Sequence, residues 1–310
     1  MVSNMARSAA APQRGSFVRD QVAALRSLGC DVEAFDWQPG SRNYVPAIRA
    51  LRRRLREQSY DVVHAHYGLA GWCAALAGAD PLVVTFHGTD VRHRIVGPLS
   101  RLLCRREILI AAASRALFSP ESGRPGLPRV RGRSAVLPSG ADLRRFEPLD
   151  RGEARRRLGL RADGRYLLFP ADPARPVKRA DRARQVAELA GAELLTLGGV
   201  DPEEVVLRVN AAAAVLITSD NEGFGLAAVE ALACGVAVIS TPVGVVPHLA
   251  GGLEGCLVAP FDAELFAAAA SRLLDGTALR IEARTRSIAF GADRTAERVL
   301  AAYRDLAGIA

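Results

Sequence analysis

The sequence predicts an α/β protein with two domains, each built on a parallel sheet with helices on both faces. Short apolar runs alternate with helical stretches, a pattern typical of doubly wound parallel sheets. This series occurs twice, before and after a polar break at 146–148. The length of 310 residues is also enough for two domains of ordinary size.

In the first half, apolar runs predict five strands, at Asp31–Phe35, Asp61–His66, Leu82–His87, Ile108–Ala113 and Ala135–Leu137. Helices fit between them, one beginning near Gly15 and others at Val45–Glu57 and Gly71–Ala79. A doubly wound unit normally opens with a buried strand, yet only Met1–Asn4 precedes the first loop. We therefore expect the first strand to be missing, or reduced to a stub.

The second half repeats the pattern after an Arg-rich helix at Gly152–Leu158. Strands are predicted at Tyr166–Pro170, Glu193–Leu197, Ala214–Thr218, Ala237–Ser240 and Cys256–Val258. Helices are predicted at Arg179–Ala190, Pro202–Ala212 and Leu226–Ala233, with three more from Asp262 to Ala307. The predicted domains are 1–148 and 149–310, and the last helix is a candidate to pack back on the first domain. Two such domains imply a cleft between them.

Composition indicates compact folding and excludes several protein classes. Hydrophobic residues make up 49% of the chain and charged residues 24%, a balance that excludes bulk disorder. The chain has no uncharged apolar run of about 18 residues, and arginines stand where a signal peptide would need an apolar segment. We therefore expect a soluble, cytoplasmic protein. The five cysteines lack C-x-x-C spacing, and His64 and His66 lack a third candidate ligand, so no disulfide or metal is assigned.

The positive charge is concentrated in the first half. Residues 1–150 contain 22 Arg and 13 acidic residues, whereas residues 151–310 are nearly neutral. The clusters Arg52–Arg54 and Arg101–Arg106 are interpreted either as solvated helix faces or as peripheral contacts with an anionic membrane. Nucleic acid is not an expected partner, because Trp and Tyr are few and no recognition motif accompanies the arginines.

The most informative stretch runs from Ser219 to Gly235, with the sequence SDNEGFGLAAVEALACG. A strand ends in a turn of small residues, and a helix follows whose first N–H groups lack intrahelical partners. Around Phe224–Leu226 these groups could hold a phosphate or sugar hydroxyls. Glu222 lies at the mouth of the turn and Glu230 about two helical turns later, so one carboxylate could reach a sugar and the other a ribose diol.

This E-x7-E pair, followed by Ala-Cys-Gly, resembles the retaining GT-B glycosyltransferases of family 4. The resemblance covers nearly the whole chain. Phe86–Asp90 is similar to the family's acceptor-domain motif, Pro138–Pro148 to its interdomain passage, and Arg175 with Lys178 to its basic pair. The resemblance implies two Rossmann-like domains facing a cleft, with the acceptor on the N-terminal domain and a nucleotide sugar on the C-terminal domain.

The resemblance also implies a set of donor-binding residues. They are Arg175, Lys178, Glu222, Gly223, Phe224, Gly225, Leu226, Glu230 and Gly15. Glu230 would bind the ribose, Glu222 the donor sugar, and the two cations the diphosphate. Such cations stabilise a leaving group strongly in a closed site, so neither a metal nor another cofactor is implied. The implied catalytic residues are His87, Glu222 and Lys178, with His87 contacting the transferred sugar and Gly15 capping the diphosphate.

Structural interpretations stay open beside these roles. The two glutamates could be a capping acid and a surface acid, and the Arg175–Lys178 segment could begin a helix in solvent. His87 and Asp90 could form a satisfied turn in which Asp90 caps the next segment. The expected function is a retaining, metal-independent glycosyltransferase of the hexosyltransferase type that uses a glycan, lipid-linked or small-molecule acceptor. The alternative is a truncated, catalytically silent protein that binds a nucleotide sugar.

Overall fold

A computed structural model describes residues 1–9, 14–114, 117–118, 126–276 and 283–309. It divides into two compact units. The first comprises the described residues up to 140 together with 292–309, and the second comprises those of 141–291. The domain boundary between residues 148 and 149 stays a prediction.

The first unit contains a parallel sheet of six strands in the order β2-β1-β3-β4-β5-β6. The strands are β1 Val2–Ser3, β2 Phe35–Asp36, β3 Val63–His66, β4 Leu82–Phe86, β5 Leu109–Ala112 and β6 Ser134–Val136. Neighbouring residues of β4 face opposite sides, so that Val84 packs in one core and Val83 in the other. The sheet is therefore covered on both faces, as its apolar strands predict.

The first strand is present as a stub of two residues, Val2–Ser3. The expectation that it is missing is therefore wrong, and the expectation of a stub is confirmed. Val2 pairs with Phe35 and Ala65, and Ser3 pairs with Asp36 and His66. Both residues of β1 are 2% exposed. The strand predicted at Asp31–Phe35 is correspondingly only two residues long, because its neighbour β1 offers only two residues for pairing.

Helices of the first unit are α1 Ser16–Ser27, α2 Tyr44–Glu57, α3 Gly68–Ala77, α4 Thr89–Arg92, α5 Val96–Leu102 and α13 Ala292–Ala307. Leu51 of α2 and Ala70 of α3 lie in the core on one face of the sheet. Leu25 of α1 and Val299 of α13 lie in the core on the other face. The last helix of the chain thus completes the first unit.

The second unit contains a parallel sheet of five strands in the order β11-β10-β9-β7-β8. The strands are β7 Tyr166–Phe169, β8 Glu193–Thr196, β9 Ala214–Ile217, β10 Ala237–Ser240 and β11 Leu257–Val258. The helices are α6 Arg151–Arg157, α7 Ala180–Leu189, α8 Pro202–Ala211, α9 Leu226–Ala233, α10 Val246–Ala250, α11 Ala263–Asp275 and α12 Arg284–Ile288. Within 1–9, 14–114, 117–118, 126–276 and 283–309, the structure has no helix that is long and apolar enough to cross a membrane.

Candidate functional site

A half-buried ion pair lies in the second unit, between the loop after β9 and the turn that precedes α7. The ammonium of Lys178 donates to both carboxylate oxygens of Glu222, with Nζ–O distances of 2.6 and 2.7 Å. Ser219 adds a third hydrogen bond, from its hydroxyl to Oε1, at 2.8 Å. The two charged side chains retain only 16% and 12% of their exposure. Two residues that the sequence separates widely are therefore in direct contact.

Hydrogen bonds to the main chain hold these two segments together. The hydroxyl of Thr218 donates to the carbonyl oxygens of Lys178 and Arg179, at 3.2 and 2.9 Å. The N–H of Asp220 donates to the carbonyl of Val177 at 3.0 Å. Because these contacts fix the backbone on both sides, the ion pair is oriented by the fold and does not depend on two flexible side chains finding each other.

Glycine and a bulky side chain shape the start of α9. Gly225 precedes the helix with φ +100°, a backbone conformation that L side chains rarely adopt. Phe224 is buried, and its carbonyl accepts the N–H of Val245 at 2.7 Å. Among the described residues no side chain caps this helix, and the N–H of Ala228 donates to the carbonyl of Gly225 at 3.0 Å. The N–H groups of Leu226 and Ala227, at the first positions of the helix, are candidate donors for a ligand.

Three other residues predicted to bind the donor are Glu230, Gly223 and Arg175, and they differ in burial. Glu230 lies in α9 and is half-buried, and Gly223 lies half-buried between Glu222 and Phe224. Arg175 is exposed, and it precedes the 3₁₀ turn Pro176–Lys178. The structure thus joins Lys178 with Glu222, whereas Arg175 stands at the solvent side of the same turn.

In the first unit, His87 follows β4 in a loop that a buried carboxylate organises. Asp90 accepts the N–H groups of His87 and Gly88 on Oδ1, at 3.0 and 2.9 Å, and that of Gly68 on Oδ2, at 3.1 Å. Asp90 is 7% exposed, and burial raises its pKa to about 6. These contacts give Asp90 the structural role of anchoring the loop of His87. It accepts N–H groups of residues that precede it, whereas the structural alternative expected it to cap the segment that follows.

His87 is one of three histidines that stack in the first unit. The ring centroids of His64 and His66 are 4.5 Å apart, and those of His66 and His87 are 5.2 Å apart. Burial lowers the pKa of His64 and of His87 to about 3, and it lowers that of His66 well below its usual value. All three are therefore neutral at pH 7. His64 and His66 share a face as predicted from their alternation, with no metal-binding cluster among the described residues.

Gly15 is buried and precedes α1 with φ +68°. A Cβ atom at this position would lie 2.5 Å from the carbonyl oxygen of Met5, so no other residue fits without a shift of the backbone. Its carbonyl accepts the N–H groups of Val18 and Arg19 at 3.1 Å. Close packing against Met5 is itself a reason for glycine here.

In each unit, one residue that contacts a candidate side chain was not singled out from the sequence. Ser219 bonds Glu222, and Tyr67 lies 4.6 Å from His87 between ring centroids. Ser219 begins the stretch that contains Glu222 and stands three residues before it, so its closeness to Glu222 in sequence could have indicated the contact. Tyr67 has φ +73°, a conformation that the sequence did not reveal.

Comparisons with known proteins place the chain in a family. Residues 178–290 match the family model described as glycosyl transferases group 1, and residues 19–145 match the model of glycosyltransferase family 4. The D-inositol 3-phosphate glycosyltransferase of Actinosynnema mirum is 32% identical over 320 residues, covering 82% of this chain and 75% of the relative. The chain belongs to the GT-B glycosyltransferases of family 4. A second family 4 relative, from Mycobacterium ulcerans and of the same name, is 30% identical, and the alignment spans 80% of this chain and 65% of the relative.

Solved structures of other proteins share the GT-B fold. The sucrose-phosphate synthase of Thermosynechococcus elongatus superimposes with a TM-score of 0.74 at 20% identity, covering 99% of this chain and 95% of that chain. HepE of Anabaena, solved in complex with UDP and glucose, gives a TM-score of 0.67 at 17% identity, covering 92% and 89%. At these identities the likeness shows the fold, and the predicted α/β GT-B architecture is confirmed.

Proposed function

We propose that this family 4 protein is a retaining glycosyltransferase, which moves a sugar from a nucleoside diphosphate sugar to a glycan, lipid-linked or small-molecule acceptor. The observation that carries the proposal is the contact of Lys178 with Glu222 beside the uncapped start of α9. A cation and the N–H groups at a helix start suit a diphosphate, and a carboxylate can accept hydrogen bonds from sugar hydroxyls. The names of the relatives, all glycosyltransferases, support the same activity.

Each side chain has a proposed task in this reaction. Lys178 neutralises the diphosphate together with Arg175, Glu222 accepts hydrogen bonds from the donor sugar, and Glu230 accepts those of the ribose. The N–H groups of Gly223 to Leu226 bind the oxygens of the donor. Charge develops on the leaving diphosphate during transfer, and a fixed cation in a site of low water content stabilises it. Retention would follow if the leaving phosphate itself helps to deprotonate the acceptor.

His87 and Gly15 are proposed for the remaining contacts, with His87 on the transferred sugar and Gly15 next to the diphosphate. The packing of Gly15 against Met5 and of His87 against His66 already explains these residues structurally. Their proposed roles in binding therefore rest on the resemblance to the family. The stereochemical claim has its own test, which is the anomeric configuration of the first product, observed by NMR before it can mutarotate. An inverted product would exclude the retaining mechanism.

A thermal-shift screen with UDP- and GDP-sugars tests the donor site directly. A ligand at 100 times its Kd stabilises the folded state by about 2.7 kcal/mol. We expect one nucleotide to raise Tm, and the shift to disappear in Glu230→Ala. Glu188→Ala, an exposed acid on α7, is the matched control that keeps the shift. A folded chain that no nucleotide sugar stabilises would contradict the proposal, whereas binding without transfer would support the silent binding protein instead.

Metal independence is part of the same proposal, because Lys178 and Arg175 supply positive charge that a divalent cation supplies elsewhere. Transfer should therefore keep its rate in EDTA, measured as nucleoside diphosphate released per minute. Restoration of a lost rate by Mg²⁺ or Mn²⁺ would mean that the two cations do not suffice.

We propose that the surface around α5 contacts an anionic membrane. The membrane surface meant here is the cytoplasmic face of the cell membrane. Ile95, Leu99 and Leu102 are 81%, 46% and 40% exposed, and the exposed Arg94, Arg105 and Arg106 are close to them in sequence. Apolar and basic groups together favour an anionic lipid surface. Ile95→Ser with Leu99→Ser should reduce co-sedimentation with phosphatidylserine vesicles, and Leu265→Ser, an exposed apolar residue of α11, should not. No binding of the unaltered protein to these vesicles would overturn the proposal.

A further inference from the structure

The middle ring of the three stacked histidines, His66, contacts His87 through one nitrogen and a sulfur atom through the other. Nδ1 of His66 lies 3.0 Å from Nε2 of His87, and Nε2 of His66 lies 3.1 Å from Sδ of Met1. His66 is thus bonded through both ring nitrogens, with His87 on one side and Met1 on the other. The whole arrangement lies in the first unit.

The fold places these groups with little freedom. His66 pairs with Thr85 across the sheet and with Ser3 of β1, and it is fully buried. His64, two residues earlier on the same face, bonds the hydroxyls of Tyr303 and Thr85 through its two nitrogens. The rings of Phe17 and Tyr67 contact that of His87, with centroid distances of 4.8 and 4.6 Å. Packing therefore restrains the plane of the His87 ring from several sides.

The chemistry of sulfur decides which nitrogens carry protons. A thioether has no hydrogen to donate and acts only as a weak acceptor, and a neutral imidazole carries one N–H. Nε2 of His66 must therefore donate to Met1, which leaves its Nδ1 as an acceptor. His87 then donates from Nε2 to that atom, and its own Nδ1 has no proton. The reverse order would direct the lone pairs of His66 and of the sulfur at each other.

We propose that Met1 and His66 are positioning residues that hold His87 in the tautomer protonated on Nε2, so that Nδ1 of His87 accepts a hydrogen bond from a hydroxyl of the bound sugar. The inference rests on the proposed function only for the identity of that sugar. The tautomer itself is a property of the chain without ligand. This order of hydrogen bonds makes His87 a selector for a hydroxyl donor and not for a carbonyl or phosphate oxygen.

NMR of the ligand-free protein with ¹⁵N-labelled histidine tests the tautomer. At pH 7 we expect Nδ1 of His87 to show the shift and the two-bond proton couplings of an unprotonated nitrogen, and Nε2 those of an N–H. His66 should show the same pattern. Protonated Nδ1 on either ring would overturn the proposal. This measurement needs neither substrate nor activity, so it is independent of whether the chain transfers sugar.

Replacing sulfur by a methylene group tests the origin of the order. Growth on norleucine replaces both methionines, Met1 and Met5, by an isosteric side chain without an acceptor. We expect the single tautomers of His66 and His87 to give way to a mixture. Met5→Leu in methionine medium is the matched control, which should keep single tautomers. An unchanged pattern in the norleucine protein would refute the role of Met1.

Variants of His66 connect the tautomer to turnover. His66→Leu removes the acceptor for His87, whereas His66→Asn can offer an amide oxygen near the position of Nδ1. We expect kcat/KM for the donor to fall about tenfold in the first, the effect of losing one ordinary hydrogen bond to the bound sugar. The Asn variant should recover most of this loss. Equal losses in both variants, with His87 still in the Nε2 tautomer, would indicate a structural role only and overturn the proposal.

Discussion

At the residue scale, the contact of Lys178 with Glu222 separates stability from activity. Replacing one partner leaves the charge of the other side chain partly buried without an opposite charge beside it. Replacing both partners by neutral side chains leaves no unpaired charge at this place. We predict that Lys178→Met or Glu222→Gln alone lowers the free energy of unfolding by about 1–3 kcal/mol. The double variant should recover much of this loss, because no unpaired charge remains. Urea unfolding of the four proteins measures these differences.

The same four proteins report on transfer. Each single variant and the double variant should lose turnover, because Lys178 and Glu222 are proposed to bind different parts of the donor. A double variant that regained activity together with stability would show that the pair is structural only. Wild-type turnover in either single variant would remove that residue from the proposed site.

Asp90 carries a second prediction at this scale. Its carboxylate accepts three main-chain N–H groups, and an amide oxygen at the same place cannot satisfy them all. Asp90→Asn should lower the free energy of unfolding by about 1–3 kcal/mol, the cost of leaving a buried N–H without a partner. Asp142→Asn is the control, because the two N–H groups that Asp142 accepts share its Oδ1, which an amide oxygen can replace, and its side chain is 39% exposed. Chemical denaturation that gave both variants the same loss would show that burial of Asp90 has no effect.

Sequence reasoning could find Lys178 and Glu222 but not their contact. Each was marked by its own local motif, and a resemblance to the family assigned both to one ligand. The contact depends on hydrogen bonds between segments separated by about forty residues, such as that of Thr218 with Arg179, which no local pattern encodes. The contact of Met1 with His66, on which the proposed tautomer of His87 depends, likewise joins residues that are 65 positions apart.

At the scale of elements, Arg284 connects its own helix, α12, to the segment that contains Leu143 and Phe146 and to the end of α9. Its guanidinium donates to the carbonyl oxygens of Leu143 at 2.6 Å, Phe146 at 2.8 Å and Ala233 at 2.7 Å. Ala233 is the last residue of α9, where carbonyl groups lack intrahelical partners and carry partial negative charge. A rigid, planar cation with several donors satisfies this arrangement, and an ammonium on a flexible stem does not.

We therefore predict that Arg284→Lys lowers the free energy of unfolding by about 1–3 kcal/mol. Arg294→Lys is the matched control, since Arg294 is 64% exposed and pairs with Glu297 at the surface of α13. That exposed pair should change stability by about 0.5 kcal/mol or less. The result is read from urea midpoints at constant slope. An equal effect of the two substitutions would refute the special role assigned to Arg284.

Interior elements were predictable and peripheral ones were less so. Strands such as Ala237–Ser240 are short apolar runs buried on both faces, and the helix Leu226–Ala233 follows a glycine turn, so both were predicted with the observed bounds. The short helices α4, α5 and α10 were not predicted. Helices of four to seven residues have too few turns to show periodicity, and they are stabilised mainly by packing on their neighbours.

At the scale of the whole molecule, the three stacked histidines determine how stability responds to acid. In the unfolded chain a histidine has a pKa of about 6.5, whereas the folded pKa is about 3 for His64 and His87 and far below normal for His66. Below pH 6.5 the unfolded state thus binds up to three more protons than the folded state. Their contribution to stability is complete above pH 6.5 and is lost as pH falls toward 3.

Asp90 acts in the opposite direction. Its folded pKa of about 6 exceeds the unfolded value of 3.8, so the folded state binds one more proton at this carboxyl between pH 6 and 4. Its contribution to stability is complete below the unfolded pKa and is lost as pH rises through 6. The three histidines take up about three protons on unfolding and Asp90 releases one, so about two protons are taken up in total. The free energy of unfolding therefore falls by about 3 kcal/mol for each pH unit of acidification in this window.

We predict that the free energy of unfolding, measured by urea titration at pH 7, 6 and 5, falls most steeply below pH 6. His64→Gln should reduce this slope by about one proton, or about 1.4 kcal/mol per pH unit, because one of the groups that charge on unfolding is removed. His248→Gln is the control, since His248 is exposed and water reaches its ring in both states. A slope of the same size in His64→Gln and in the unaltered chain would show that the stacked histidines do not cause the acid sensitivity, and the carboxylates of the ion pairs would then have to account for it.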